Sequence, residues 1–579
     1  MATQSTQIPG KGYGNTYIDS LVWGCGWMNV SPADPIHYWF GTSSVSAVRS
    51  SIDGGFTGLA WSDNDKSKFT QALASYTKVC NLSFAQATSQ ETADMVWWLA
   101  DNTTMSGYLG LHEVPDQSTA QVYGYFNTQD STWNALAQGG YGFVTIIHEL
   151  GHGLGLAHPH DGGGESDATK FPGVKAAFNS YGTYNLNQGI YTTMSYNSGW
   201  QGERPSSYDF GWEGTPMALD IAALQKLYGA NMTTATGNDT YLLPSQNGVG
   251  TYWQCIWDAG GQDTLSNAGS SSACTINLTA ATLTGATAGG VVSWDKGIKG
   301  GFTIANGVVI ENAIGGSGAD VLVGNAQANQ LTGGAGTDVL TGGAGSDKFI
   351  FSTGDSLAGS RLRDTIKDFN GRQGDRLDLS GIDAKTTAPD DQAFTYIAAA
   401  KFHRVAGELR FNSSVLQGDT NGDGVVDTGD MAAGSSQTVY LRVFVPSDTP
   451  QSTMANYEAT VLATSVNDVT AKDASYADVL MITGGGIDLT LTEIYNSSTN
   501  TMGDWGQGPS SAPLLTTTAV LAGSTVTIPV YLTNNFDTST TVWLTQGGNK
   551  DMGSLPNGWS AYWTTGVCNG SPVTSTTLN

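Results

Sequence analysis

Between Gly315 and Ile350 the chain repeats itself every nine residues, and this period restricts the fold more than any other stretch. Gly315-Gly316-Ser317-Gly318-Ala319-Asp320-Val321-Leu322-Val323 fits the pattern Gly-Gly-x-Gly-x-Asp-x-apolar-x, as do the nonamers starting at Gly333 and Gly342. The nonamer between them, Gly324 to Thr332, keeps the period and carries Asn329 in place of the aspartate. Glycines permit tight turns whose carbonyls point inward, and the apolar position fills an interior. If alternate turns stack, Asp320 faces Asp338 across one cation and Asn329 faces Asp347 across another. Without cations the carboxylates repel, and such short turns cannot offset their ordering entropy. A glycine-rich linker would not hold its aspartates and apolar residues at a fixed period. The 76 glycines, beside only 13% charged residues, therefore point to an ordered repeat and not to disorder.

A second stretch carries chemistry. Of seven histidines, four lie between His148 and His160. Residues four apart share a helix face, so His148 and His152 can present two imidazoles to one ion. Glu149, one residue along, can reach a water on that ion without binding the ion itself. Phe143-Val144-Thr145-Ile146-Ile147 buries the helix, and Gly155 lets the chain leave through a positive-φ turn that returns His158 as a third ligand. Three neutral imidazoles with an open fourth position describe one catalytic zinc ion, since structural zinc is usually closed by four protein ligands.

The pattern His148-Glu149-x-x-His152-x-x-Gly155-x-x-His158 resembles the metzincin metalloproteases. Pro159 after the third histidine, and Thr193-Met194-Ser195-Tyr196 downstream, are similar to the serralysin branch. The resemblance implies that Met194 forms an apolar floor under the metal. It also implies that Tyr196 is a phenol ligand that swings away when substrate binds. His160 departs from the branch, which usually has a small residue there, and is expected to be a loop or supporting residue. The nonamers resemble the RTX signature of a parallel β-roll that binds several structural calcium ions, with Asp320, Asn329, Asp338 and Asp347 as ligands. Ile256 to Thr264 looks like the lead-in to such a roll, with Asp258 and Asp263 as further ligands. Asp364 to Phe369 and Asp375 to Ser380 look like its end. Asp419, Asn421 and Asp423 have EF-loop spacing, an alternative to a plain Asp/Gly-rich turn.

Net charge is −26, with 24 Lys and Arg in 579 residues and a pI near 4.3. So acidic a surface argues against nucleic acid and anionic membranes, and suits calcium and an extracellular setting. No stretch of about 20 apolar residues marks a membrane span. The first 14 residues lack an apolar core, so no Sec-type signal is expected, and RTX proteins of this kind typically leave by a type I system. The five cysteines are too scattered for a disulfide framework, although Cys255 and Cys274 could pair.

The expected fold is an α+β metzincin zinc metalloprotease domain, then an RTX parallel β-roll, then an all-β accessory region. Residues 1–12 read as a disordered arm, 13–235 as the catalytic domain, 236–430 as the roll with its flanks, and 431–579 as a sandwich-like β-rich module. Strands are expected at Ile36–Phe40, Met95–Leu99 and Ala120–Phe126, with a helix capped at Ser62 or Asp63. Metzincins bind peptide by strand addition before the zinc helix, and Gln121 to Tyr125 is the candidate strand, an interior strand being the alternative. Thr438–Val445 and Ala519–Leu532 alternate like strands of the accessory module. The function these features imply is a secreted, calcium-dependent zinc endopeptidase acting on proteins or peptides, with Glu149 as general base. The alternative is a calcium-binding cell-surface or surface-layer protein that retains the protease scaffold without its activity.

Overall fold

The computed structural model of the chain describes residues 2–422, other than 43, 46–55, 118, 162–168, 357–362, 386–387 and 413, and beyond them the backbone of strands between Ser436 and Leu578. It divides into two compact units, Met1–Ser356 with Asp364–Ile382, and Leu357–Arg363 with Asp383–Asn579.

The first unit begins with β1 (Thr3–Ser5) paired antiparallel to β2 (Gly26–Met28), Thr3 opposite Met28. Residues 3–5, expected to belong to a disordered arm, are thus held by a backbone ladder, and Ala2 is buried in the core. A five-stranded sheet follows, made of β3 (Ile36–Phe40), β4 (Phe84–Gln86), β5 (Met95–Ala100), β6 (Gly110–His112) and β7 (Val122–Asn127), in the order β4-β3-β5-β7-β6. β5 is buried along its whole length, as a central parallel strand must be. Helix α1 (Asp63–Val79) starts at Ser62, whose hydroxyl accepts from the Asp65 N–H while the Asp65 carboxylate accepts from the Ser62 N–H. Its Phe69 is fully buried, with ring centroids of Trp61, Trp97 and Phe126 within 5.2 Å. Burying such a ring stabilises the fold by about 2–3 kcal/mol.

The sheet corrects one expectation. Val122 to Tyr125 of the candidate segment Gln121 to Tyr125 fall on β7, which is interior, between β5 and β6. The edge beside β7 is β6, which runs antiparallel to it, while β4 forms the opposite edge. Strand order follows from how segments distant in sequence pair, so local alternation could not reveal it.

Helix α2 (Tyr141–Gly153) lies under the sheet and is tied to α1 by the Tyr76 hydroxyl, which donates to the Ile147 carbonyl at 2.6 Å. Helix α3 (Ala218–Tyr228) ends at Gly229, whose φ of 75° ends the helical path. The chain then coils between two sheets. One is parallel throughout: β8 (Thr240–Leu242), β10 (Thr264–Ser266), β14 (Asn312–Ile314), β16 (Gln330–Thr332), β18 (Lys348–Ser352) and β20 (Arg376–Gly381). The other contains β9 (Trp253–Ile256), β11 (Cys274–Asn277), β12 (Ser293–Asp295), β13 (Gly301–Ile304), β15 (Val321–Val323), β17 (Val339–Thr341) and β19 (Thr365–Ile366). The second sheet is parallel except at β12, which runs antiparallel between β11 and β13. Leu322, Leu331, Leu340 and Phe349, the apolar residues of the four nonamers, are all 0% exposed, Leu322 pairing with Leu340 in one sheet and Leu331 with Phe349 in the other.

The second unit opens with a sheet of Thr395–Tyr396, Glu408–Asn412 and Val415–Asp419. Asp419 ends the last of these strands and its carboxylate accepts from the Gly422 N–H at 2.7 Å, with Asn421 in the intervening turn; Asp423 lies outside the described residues. Further on, Ser436–Phe444 pairs antiparallel with Thr525–Thr533 inside a four-stranded sheet, and a separate five-stranded antiparallel sheet has Asn456–Thr464 at its centre. Val445 and residues 519–524, expected to extend the first pair, lie outside the described residues. Cys25, Cys80, Cys255 and Cys274 are buried free thiols, so the suggested Cys255–Cys274 bridge is not formed, and Cys568 is outside the described residues. No helix among the described residues is long and apolar enough to cross a membrane.

Candidate metal centre

α2 buries Phe143, Ile146, Ile147 and Leu150 completely, which leaves its histidine face as the polar one. Gly155 follows with φ of 91°, and a β-carbon there would collide with the Cys25 carbonyl, so only glycine fits this turn. The turn returns His158 so that its Nε2 stands 3.0 Å from His148 Nε2 and 2.9 Å from His152 Nε2. Each ring has its other nitrogen committed to an acceptor. His148 Nδ1 donates to the Thr193 carbonyl at 2.8 Å, His152 Nδ1 to the Leu156 carbonyl at 2.9 Å, and His158 Nδ1 to the Asp161 carboxylate at 2.6 Å. With the protons on Nδ1, three Nε2 lone pairs converge with no hydrogen between them. That arrangement repels itself unless a cation occupies the space, so the residues fit a metal such as zinc. Burial holds His148 down to about 3 and His152 well below its ordinary value, keeping both neutral as ligands must be.

Glu149 is buried beside the triad. Burial pushes its carboxyl up to about 8, opposed by a hydrogen bond from the His112 backbone N–H on β6. A cation at the three imidazoles would favour the carboxylate. Gly110, also on β6, lies so close to the Glu149 side chain that no larger residue fits without displacing it. His112 backs this arrangement: its Nδ1 donates to the Glu113 carbonyl at 2.7 Å, its Nε2 accepts from Trp97 Nε1 at 3.0 Å, and its ring lies against Gly153.

Met194 is fully buried against Gly151 of α2, where any side chain would meet its sulfur. The loop that carries it is pinned by Asp220 of α3. That carboxylate accepts from Thr192 Oγ1, the Thr193 N–H, Thr193 Oγ1 and the Met217 N–H, at 2.6–2.9 Å. The Tyr196 ring lies 4.6 Å from the His158 ring and 5.1 Å from Phe178, measured between centroids. Burial, then Glu149, pushes its phenol up to about 12, so it stays a donor at neutral pH. His160 stacks on His158 at 4.8 Å and adds no nitrogen to the convergent triad.

The roll brings the other expected residues into two ladders. Along one, Asp239 N–H donates to Asp263, Asp263 N–H to Glu311, Asn329 N–H to Asp347, and Asp347 N–H to Asp375, at 2.7–3.0 Å. Along the other, Asp320 N–H donates to Asp338 and Asp338 N–H to Asp364, at 2.7 and 2.8 Å. Asp320 thus stacks with Asp338, and Asn329 with Asp347. One carboxylate oxygen each of Asp263, Asp338, Asp347 and Asp364 is buried with no hydrogen-bond partner. Orphaned buried carboxylate oxygens fit a hard cation such as calcium. Asp258 closes a group with Asp239 and Asp263 in which one oxygen from each lies within 4.8 Å of the others. Asn329 differs from the aspartates, since its amide donates to the Glu311 carbonyl at 3.0 Å.

Sequence reasoning missed Asp161, Thr193, Asp220 and His112 around the histidines, and Asp239, Glu311, Asp364 and Asp375 as members of the ladders. The ladder residues share a readable signal, an acid immediately before a short strand, as in Asp239-Thr-Tyr-Leu and Asp263-Thr-Leu-Ser. His112 and Asp220 carry none, because the partners that tie them to the site, Trp97 and Thr192–Thr193, lie 15 to 28 residues away.

Residues 41–210 match the family described as Metallo-peptidase family M12, and residues 218–421 match Peptidase M10 serralysin C terminal. Serralysin C of Dickeya chrysanthemi is 36% identical over 299 residues, covering 48% of this chain and 57% of that protein. Serralysin of Photorhabdus laumondii subsp. laumondii is 32% identical over 279 residues, covering 46% and 54%. Serralysin G of Dickeya chrysanthemi is 36% identical over 278 residues, covering 44% and 51%. The chain spans about half the length of the curated relatives it matches. The matched segments contain the three convergent histidines and the two carboxylate ladders, and over them this chain is similar to the serralysin metallopeptidases.

Proposed function

We propose that the chain is a secreted zinc endopeptidase whose β-roll is held together by calcium. The observation that carries the catalytic part is the convergence of three Nε2 lone pairs whose Nδ1 protons are all engaged elsewhere. His148, His152 and His158 would hold one zinc ion, with Tyr196 as the displaceable phenol. Bound zinc supplies a Lewis acid that polarises the scissile carbonyl and lowers the pKa of a bound water. Glu149 would take the proton of the attacking water on its carboxylate and return it to the leaving amine. β6 would take an extended peptide as one more strand, its backbone fixing the scissile bond above Glu149. The Tyr196 phenol, raised by burial and so protonated, would donate to the developing oxyanion.

The test is hydrolysis of casein and of a quenched-fluorescent peptide library by the full chain, with zinc content measured in parallel. Wild type should cleave, lose activity on zinc removal and recover it on zinc addition. Glu149→Ala should keep its zinc and cleave about 10²–10⁴-fold more slowly. A zinc-loaded wild type that cleaves nothing, or a Glu149→Ala variant that matches it, would rule the mechanism out.

A further inference from the structure

The stack that carries Asp320 and Asp338 has one more turn than the nonamers announce. β11 pairs in parallel with β15, Thr275 opposite Val321 and Ile276 opposite Leu322. Gly269-Ser270-Ser271-Ser272-Ala273-Cys274 therefore takes the place of Gly315-Gly316-Ser317-Gly318-Ala319-Asp320, one layer up. The stacking is the same. Gly316 and Gly318 lie against the carbonyls of Ser270 and Ser272, as Gly334 and Gly336 lie against those of Gly316 and Gly318. The Cys274 N–H donates to Asp320 at 2.7 Å, as the Asp320 N–H donates to Asp338 at 2.7 Å. Ile276, at the apolar position, is 0% exposed. What this turn lacks is its carboxylate, since Cys274 occupies that position, and burial and the nearby Asp320 push its thiol up and keep it neutral.

The carboxylate arrives from elsewhere in the chain. β12 runs antiparallel to β11 and sets Asp295 directly opposite Cys274. Residues opposite one another in an antiparallel pair project from the same face. Asp295 is 0% exposed; one of its oxygens accepts from Ser270 Oγ at 2.5 Å, and the other is buried with no hydrogen-bond partner. A buried carboxylate oxygen without a donor is costly. Oxygen donors alone, from a carboxylate and from turn carbonyls, suit a hard divalent cation.

We propose that Asp295 completes a calcium site in the Gly269–Cys274 turn, supplying from β12 the carboxylate that Cys274 replaces. The β12 strand would then extend the bound stack by one layer toward the metallopeptidase segment, beyond the recognisable repeat.

This inference rests on the roll being calcium-bound, so calcium per full-length chain is measured by equilibrium dialysis for three proteins. Asp295→Asn should bind one calcium fewer than wild type. Asp295→Asn combined with Cys274→Asp, which restores a carboxylate at the repeat position, should regain the wild-type count. Circular dichroism at saturating calcium reports whether each variant folds. An Asp295→Asn variant that keeps the wild-type count would overturn the site, and so would a lowered count that Cys274→Asp does not restore. Absence of calcium on the wild type would overturn the calcium reading of the whole roll as well, which separates the two failures.

Discussion

A histidine becomes a metal ligand by what its second nitrogen does. At His148, His152 and His158 the second nitrogen is bound to Thr193, Leu156 and Asp161, so the tautomer is set before any ion arrives. Tyr196 is placed differently. Its ring rests on those of His158 and Phe178, and it keeps 37% of its surface exposed, so it can move without unpacking the core. A phenol that acts chiefly on the transition state should affect turnover more than binding. Tyr196→Phe should keep its zinc, lose about 10–100-fold in kcat and change KM little in peptide hydrolysis. A change confined to KM would make Tyr196 a substrate-binding residue instead. The convergence of the three histidines was legible because helix periodicity and one glycine turn set it locally. The partners of their Nδ1 atoms were not, since ligand spacing says nothing of Leu156 or Asp161, and Thr193 is brought to His148 across 45 residues.

The elements around the triad are joined by a single buried carboxylate. Asp220 sits in the first turn of α3, where it accepts from the Met217 N–H, and the same carboxylate holds Thr192 and Thr193. The Thr193 carbonyl in turn accepts a hydrogen bond from His148 Nδ1, so α3 supports the metal site through the Met194 loop. Asp220→Ala would orphan several buried donors, each worth about 1–3 kcal/mol, and should destabilise the protein by about 3 kcal/mol or more. It should also weaken zinc binding by about 10–100-fold. Denaturant unfolding and competition with a zinc chelator measure the two effects, and wild-type values in both would show that Asp220 is not the pin. α1, β3 and α2 were legible from capping residues and periodicity. The edge position of β6 was not, since its three residues carry no signal of which strand they join.

Across the whole molecule, an acidic chain with a net charge of −26 stacks its carboxylates in two ladders. Burial, then Asp364 and Asp320, holds Asp338 up to about 7, and burial holds Asp364 up to about 6. Their folded values lie above the ordinary carboxylate value, so the stability they contribute is full below about pH 4 and is lost as pH rises through 6–7. In the proposed reading, calcium replaces those protons as the partner of the carboxylates. The increase in thermal midpoint that millimolar calcium gives over chelator should therefore grow as pH rises from about 5 to 8. With a calcium-selective chelator that leaves zinc in place, comparing the two conditions at each pH cancels the opposite trend of the buried histidines His148 and His112, which burial keeps neutral. A midpoint unaffected by calcium at every pH would rule the ladders out as cation sites.

The sequence by itself determined the parts whose physics is local. These are the helix that carries His148 and His152, the glycine turn at Gly155, and the nine-residue period that files Leu322, Leu331, Leu340 and Phe349 into one interior. Each depends on residues within a turn or two, so spacing alone carries the information. Only the tertiary structure decided which strand forms the sheet edge, which carboxylate pins the Met194 loop, and that Asp295 stands opposite Cys274. These depend on pairings between residues 12 to 28 apart in the chain, and the residues that make them look, in sequence, like any other buried strand or helix.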